Sequence, residues 1–174
     1  MGRCPAISAR AGGYPREVTD DDRAKLLEVI GGIPIAMLTT FGPDGPRSVP
    51  MARQEVDPGA ELWFITARDT AHVRAIQADP RVSVTFSAAD SWAATYGRAT
   101  VVDDQEKLRK LWTTFAEAWM PGGPEDPNAT LLRVDVEHGE YWDTPGSRIA
   151  SLISLAKTKL TGETYDADHG SVDV

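Results

Sequence analysis

The sequence predicts a mainly β fold: an antiparallel, barrel-like sheet of six or seven strands with flanking helices packed outside. Three observations carry that expectation. Between residues 33 and 102 the apolar and β-branched runs are short and separated by Gly, Pro and Asp turns, the pattern of successive hairpins. Short connections favour antiparallel pairing, because parallel strands need a crossover of a dozen residues or more. Helical patterns are few and do not alternate regularly with strands, which argues against a doubly wound parallel sheet.

The elements follow in order. The first 18 residues, with Pro5, Gly12, Gly13 and Pro15, show no period and read as a loose arm. Thr19 followed by Asp22 is a helix-start signature, with aspartates near the positive end of the helix dipole. Leu26, Leu27 and Ile30 form that helix's apolar stripe, and Gly31-Gly32 ends it. An apolar run over 33–41, a turn over 42–45 and an extended run over 46–56 make a hairpin. Residues 61–67 (ELWFITA) form a strong strand after the turn Asp57-Pro58-Gly59. Thr70 is placed to cap a short helix over 71–78, which Asp79-Pro80 closes. Val82, Val84 and Phe86 alternate as in a half-buried strand. The run over 91–102 is extended, with Gly97 as a bulge or close-approach point.

Asp103-Asp104 opens a helix expected to run from Asp104 to Ala118. Leu108, Leu111, Trp112, Phe115 and Trp119 carry its helical spacing. Leu108, Leu111 and Phe115 are expected to be buried, Trp112 and Trp119 to project the same way, and Leu111→Ala to cost about 2–5 kcal/mol. A Pro/Gly loop over 121–127 leads to strands around 130–136 and 139–143. A last helix over 147–160 stops at Gly162, and residues 163–174 form a polar surface tail. The expected domain is therefore residues 19–162.

Composition narrows the function. A chain of 174 residues suits one domain and needs no disulfide or metal to hold a core. A net charge of −8 disfavours a nucleic-acid partner. The apolar stretch Ile33 to Leu38 is too short to span a bilayer, and no apolar signal-peptide core follows Met1, so no membrane is expected. Cys4 has no intrachain partner, which fits a cytoplasmic location. There is no GxGxxG, phosphate-binding loop or GxSxG elbow, and His72, His138 and His169 lie far apart, so no metal site is expected. Acidic pairs such as Asp103-Asp104 read as helix N-terminal charge.

What remains is the strand–turn–helix unit over 61–72. A buried strand ending in hydroxyl residues at a helix N-terminus suits an anion, with Thr66, Thr70, His72, Arg68 and Arg74 available to hold a phosphate. The plainer alternative is that Thr70 only caps its helix and His72 faces solvent, and the residues alone favour it. Trp119, before Met120-Pro121-Gly122-Gly123, stands at a rigid corner suited to a flat ligand or a second subunit.

The sequence resembles the general stress protein branch of the pyridoxamine-phosphate-oxidase-like family, the FMN-binding split barrels. The resemblance rests on Met37-Leu38-Thr39-Thr40, Pro50-Met51 with Gln54-Glu55, Leu62-Trp63-Phe64-Ile65-Thr66 and Gly97-Arg98-Ala99. It continues through Leu111-Trp112, Trp119-Met120-Pro121-Gly122-Gly123 with Asp126-Pro127, Glu140-Tyr141-Trp142-Asp143, Leu160-Thr161-Gly162 and His169-Gly170-Ser171-Val172. It implies a split antiparallel barrel that forms a homodimer with FMN at the subunit interface. The implied cofactor contacts are Arg47, Ser48, Val49, Pro50 and Met51 on the second strand, Ile65, Thr66, Thr70 and His72 in the strand–turn–helix unit, and Trp119 at the corner. Two positions depart from the family pattern: Val49 stands where an arginine usually precedes Pro-Met, and His72 where a lysine is usual. Arg47 lies about 7 Å along the strand from the first of these and does not replace it. Beside a bound phosphate, His72 is expected to have a raised pKa.

The implied function is flavin-mediated redox on a small substrate. The alternatives are a non-catalytic flavin-binding or regulatory stress protein, or a deazaflavin-dependent reductase on the same barrel. Pyridoxamine-phosphate oxidase activity itself is not expected, because Arg148-Ile149-Ala150 lacks the histidine of that enzyme's Arg-x-His substrate motif.

Overall fold

In the computed structural model, which describes residues 20–143 and 168–173, the hairpin signals become a sheet of seven strands. They are β1 (Ile35–Gly42), β2 (Gly45–Val56), β3 (Glu61–Ala67), β4 (Arg81–Ser87), β5 (Ser91–Val102), β6 (Ala129–Asp143) and β7 (Asp168–Asp173). The described helices are α1 (Asp20–Gly32), α2 (Ala71–Ala78), α3 (Gln105–Leu111) and α4 (Thr114–Trp119). Neighbouring strands pair antiparallel in the order β3-β2-β1-β4-β5-β6-β7. β3 also pairs with β6, from Glu61↔Asp135 to Ala67↔Ala129, which closes the first six strands into a barrel.

Period-two alternation fills the barrel. Ala36 and Leu38 on β1, Val82, Val84 and Phe86 on β4, and Leu62 and Phe64 on β3 point inward and are buried. Two helices cover the interior. Leu26, Val29 and Ile30 of α1 join the same core, and so does Ile76 of α2, which packs on β1 and β5. A second cluster lies outside the barrel wall, where Leu108 of α3 meets Trp63, Ala129 and Leu131.

Three expectations change. The two strands expected around 130–136 and 139–143 are one fifteen-residue strand, β6. The first part of β6 closes the barrel against β3 and the last part pairs with β7. Residues 168–173, expected within a polar tail, form β7, and Val172 is fully buried in the core. A single buried valine is too short a signal for a periodicity argument. The expected arm, Thr19 and the helix over 147–160 lie outside the described residues.

The third change matters for the site. The helix expected from Asp104 to Ala118 is two helices. Asp104 caps α3 by accepting from the Lys107 N–H at 2.9 Å, as its position suggested. At Trp112 and Thr113 the backbone turns extended, with ψ of 127° and 163°. There the Thr113 hydroxyl accepts from the Ala116 N–H at 3.3 Å and starts α4. A threonine hydroxyl competes for backbone donors in this way, and the hydrophobic period continues across the break without recording it. The two tryptophans therefore do not share a face: Trp112 packs beside Trp63, whereas Trp119 is 76% exposed. Phe115 is exposed and Leu111 is only half-buried. Leu111→Ala is accordingly expected to cost about 1 kcal/mol, less than a fully buried leucine would. A urea midpoint shifted as far as for a core leucine would contradict this placement of α3.

Candidate functional site

β3 delivers Ile65, Thr66 and Ala67 to the end of the barrel, and the turn over Arg68-Asp69 leads into Thr70 at the start of α2. This turn is braced against the segment entering β6. Asn128 accepts from the Asp69 N–H at 3.2 Å through its side-chain oxygen and donates back to the Asp69 carboxylate at 3.0 Å. Arg68 donates through Nε to the Pro127 carbonyl at 3.1 Å and pairs with Asp103. Arg74 donates to the Asp69 carbonyl at 2.7 Å. Both arginines named as candidate phosphate holders are thus engaged in holding the turn.

Thr70 occupies the N-cap position but makes no side-chain cap bond. Its hydroxyl donates to the Ala67 carbonyl at 2.9 Å and lies 3.1 Å from His72 Nε2. The same nitrogen lies 2.8 Å from the Thr66 hydroxyl. Because the Thr70 proton is committed to Ala67, the Thr70–His72 approach is a hydrogen bond when Nε2 carries a proton. His72 therefore neither faces solvent freely nor stands alone. Burial pushes its pKa below the ordinary imidazole value, so the ring is largely uncharged at pH 7.

These residues form one wall of a cleft of about 540 Å³. Ile65, Thr66, Ala67 and Thr70 line that wall, Pro50, Met51, Ala52 and Gln54 of β2 with Ile35 of β1 line the floor, and Phe115, Ala116, Trp119 and Met120 line the third side. The Phe115 and Trp119 rings are 6.4 Å apart and tilted by 44°. The Thr113 hydroxyl, which donates to Gln54 Oε1 at 3.3 Å, ties the start of α4 to the floor.

Of the residues named from sequence, Pro50, Met51, Ile65, Thr66, Thr70 and Trp119 line this cleft, and His72 stands directly behind the two threonines. Arg47, Ser48 and Val49 do not line it. Arg47 is exposed opposite Thr40, the Ser48 hydroxyl bonds Thr39 at 2.8 Å, and Val49 packs on the core. Sequence reasoning missed Ile35, Ala52, Gln54, Ala67, Phe115, Ala116 and Met120 as lining residues. Ala52 and Gln54 carried a usable signal, since they share a strand face with Pro50. Phe115 carried none while it was counted into a continuous helix.

Beside the cleft, the outer face of the sheet exposes Ile35, Met37 and Phe41 on β1 and Trp92 and Tyr96 on β5. Among the described residues no helix is long and apolar enough to cross a membrane, and no cluster of His, Cys, Asp or Glu is arranged to hold a metal ion.

A family model described as pyridoxamine 5′-phosphate oxidase like matches residues 21–166. The chain belongs to that family. Several solved structures similar to this pyridoxamine 5′-phosphate oxidase-like chain are general stress proteins. A Jannaschia sp. CCS1 protein of the general stress protein 26 type superposes with a TM-score of 0.78 at 30% identity, over 90% of this chain and all of that one. A general stress FMN/FAD binding protein from Xanthomonas citri gives a TM-score of 0.64 at 30% identity, over 74% of this chain and 93% of that one. The Neurospora crassa protein bli-3 is 25% identical over 115 residues, which is 60% of this chain and 55% of that protein. The match thus spans just over half the length of that curated relative.

Proposed function

We propose that the cleft holds the ring system of a flavin, FMN, and that the protein is a flavin-dependent redox protein of the general stress type. The observation that carries this reading is the cleft itself: apolar floor, aromatic side and a hydroxyl-lined end. Its volume falls in the range of roughly 300–1,000 Å³ typical of sites for ligands of this size. Pro50, Met51 and Ile65 would pack against the flat ring, and Trp119 would cover it. Thr66 and Thr70 would meet the polar chain near the start of α2. A bound flavin would supply the electron-transfer chemistry, leaving the protein to bind, orient and exclude water. Among the described residues no Asp, Glu, Lys, Arg or His lines the cleft, so this lining contains no general acid or base. This same observation favours a second reading, a flavin-binding stress protein without turnover of its own. It disfavours a deazaflavin cofactor, whose longer anionic tail would need cations.

The reading includes a homodimer. The exposed apolar strip of β1 and β5 adjoins the cleft through Ile35, so a second copy seated there would wall in the ligand. The expected result is a yellow protein as purified, or one that takes up FMN with a Kd on the order of micromolar. Sedimentation at micromolar concentration should give a dimer. No spectral change on titrating FMN into the protein would overturn the flavin reading. A monomer would remove the dimer and any interface contribution.

A further inference from the structure

Resting on the flavin reading above, we infer that this site recognises the uncharged end of the ligand and not its phosphate, so that it takes riboflavin as readily as FMN. The first observation is the lining, which contains no charged side chain among the described residues. A dianion leaving water needs charged or multiply donating partners, since an ionised group without them keeps its full desolvation cost.

The cations nearest in sequence face other tasks. Arg68 pairs with Asp103 and Pro127, and Arg74 holds the Asp69 carbonyl. Arg53 lies between the lining residues Ala52 and Gln54 but does not itself line the cleft, and it donates to the Gly31 carbonyl at 2.9 Å. Arg47 is three residues from Pro50, about 10 Å along the strand.

The polar side chains that do reach the cleft, Thr66, Thr70 and Gln54, are uncharged. The Thr70 proton is given to Ala67, and both threonine hydroxyls share His72 Nε2, on an imidazole largely uncharged at pH 7. The first-turn N–H groups of α2 remain as donors, but they carry only partial charge. At longer range, a net charge of −8 opposes the approach of a dianion. A ring with its ribityl hydroxyls meets none of these penalties: it needs apolar walls, an aromatic cover and neutral hydrogen-bonding groups, and the cleft presents all three.

The test is a pair of fluorescence-quenching titrations of the full chain, with riboflavin and with FMN, each at low and high salt. The expected result is binding of both, with dissociation constants that differ by less than roughly tenfold. The FMN affinity should not weaken from low to high salt, because no attractive ion pair is there to be screened. FMN binding tighter by tenfold or more, and weakening with salt, would overturn the inference. That result would place a cation at the phosphate, supplied by a second copy or by a rearranged arginine, and would leave the flavin reading intact. Failure of both flavins to bind would instead overturn the flavin reading, and this inference with it.

Discussion

Gly97→Ala is expected to destabilise the barrel by about 3 kcal/mol or more, at or beyond the upper end of ordinary overpacking costs. An added Cβ at this position would lie 2.0 Å from the Asp135 carbonyl oxygen, 2.9 Å from its carbon and 3.1 Å from the Val136 Cα. All three are backbone atoms, so no side chain can rotate away to make room. The close approach arises because the β5–β6 register shifts between Tyr96 and Gly97, which presses one strand onto the other. The strain is a matter of space, since Gly97 is not among the residues with positive φ. β5 and β6 share the longest run of paired residues in the sheet, so parting them loosens the wall that closes the barrel. Gly31→Ala is the matched control. A Cβ there meets nothing within 4 Å, and alanine in a helix is expected to be neutral or stabilising by up to about 1 kcal/mol. Urea denaturation of both variants measures the difference. Equal midpoints would mean that the bulge relaxes freely and does not pin the strands.

Trp119→Ala is expected to leave the fold intact and to weaken flavin binding by about 1.5–2 kcal/mol, or roughly ten- to thirtyfold. The side chain is 76% exposed, so its removal takes little apolar area out of the core. It nevertheless lines the cleft and touches only Phe115 as an aromatic neighbour among the described residues. An exposed tryptophan at a cleft mouth has apolar surface to gain from a flat ligand, and such residues dominate binding when they become covered. Trp119→Phe should recover most of the affinity, because a smaller ring still provides a face. Thermal unfolding and FMN titration of both variants separate the two roles. A lowered melting temperature with unchanged affinity would make Trp119 a structural residue.

The two halves of the site were legible to different degrees. The strand–turn–helix unit could be located from residues 61–72 because a buried strand, a turn and a cap-type threonine are local signals. Its wiring could not. Thr70 sits where a capping residue belongs, yet its hydroxyl turns to Ala67 and His72, because the fold brings Thr66 back within reach of the same imidazole. The third side of the cleft was misread, since a hydrophobic period of 3.6 runs on through Trp112 and Thr113 although the helix does not. A cap hydroxyl that also donates to Gln54, 59 residues away, is a tertiary choice.

The succession of strands, the hairpins, the bulge at Gly97 and the family resemblance follow from the chain, because turn residues and period-two alternation act over a few neighbours and need no partner to be recognised. Barrel closure is different in kind. Glu61–Ala67 meets Ala129–Asp135 across some 70 residues, with nothing in either segment naming the other. The same holds for β7, whose buried Val172 gains its place from β6 and the core around it. The charge character of the cleft also belongs to the folded molecule. Arg53, Arg68 and Arg74 are within a few residues of the site along the chain, but the Gly31 carbonyl engages the first and the bracing of the turn engages the other two. Side-chain direction and competing partners, both properties of packing, therefore decide that an arginine-rich stretch of sequence encloses an uncharged cleft.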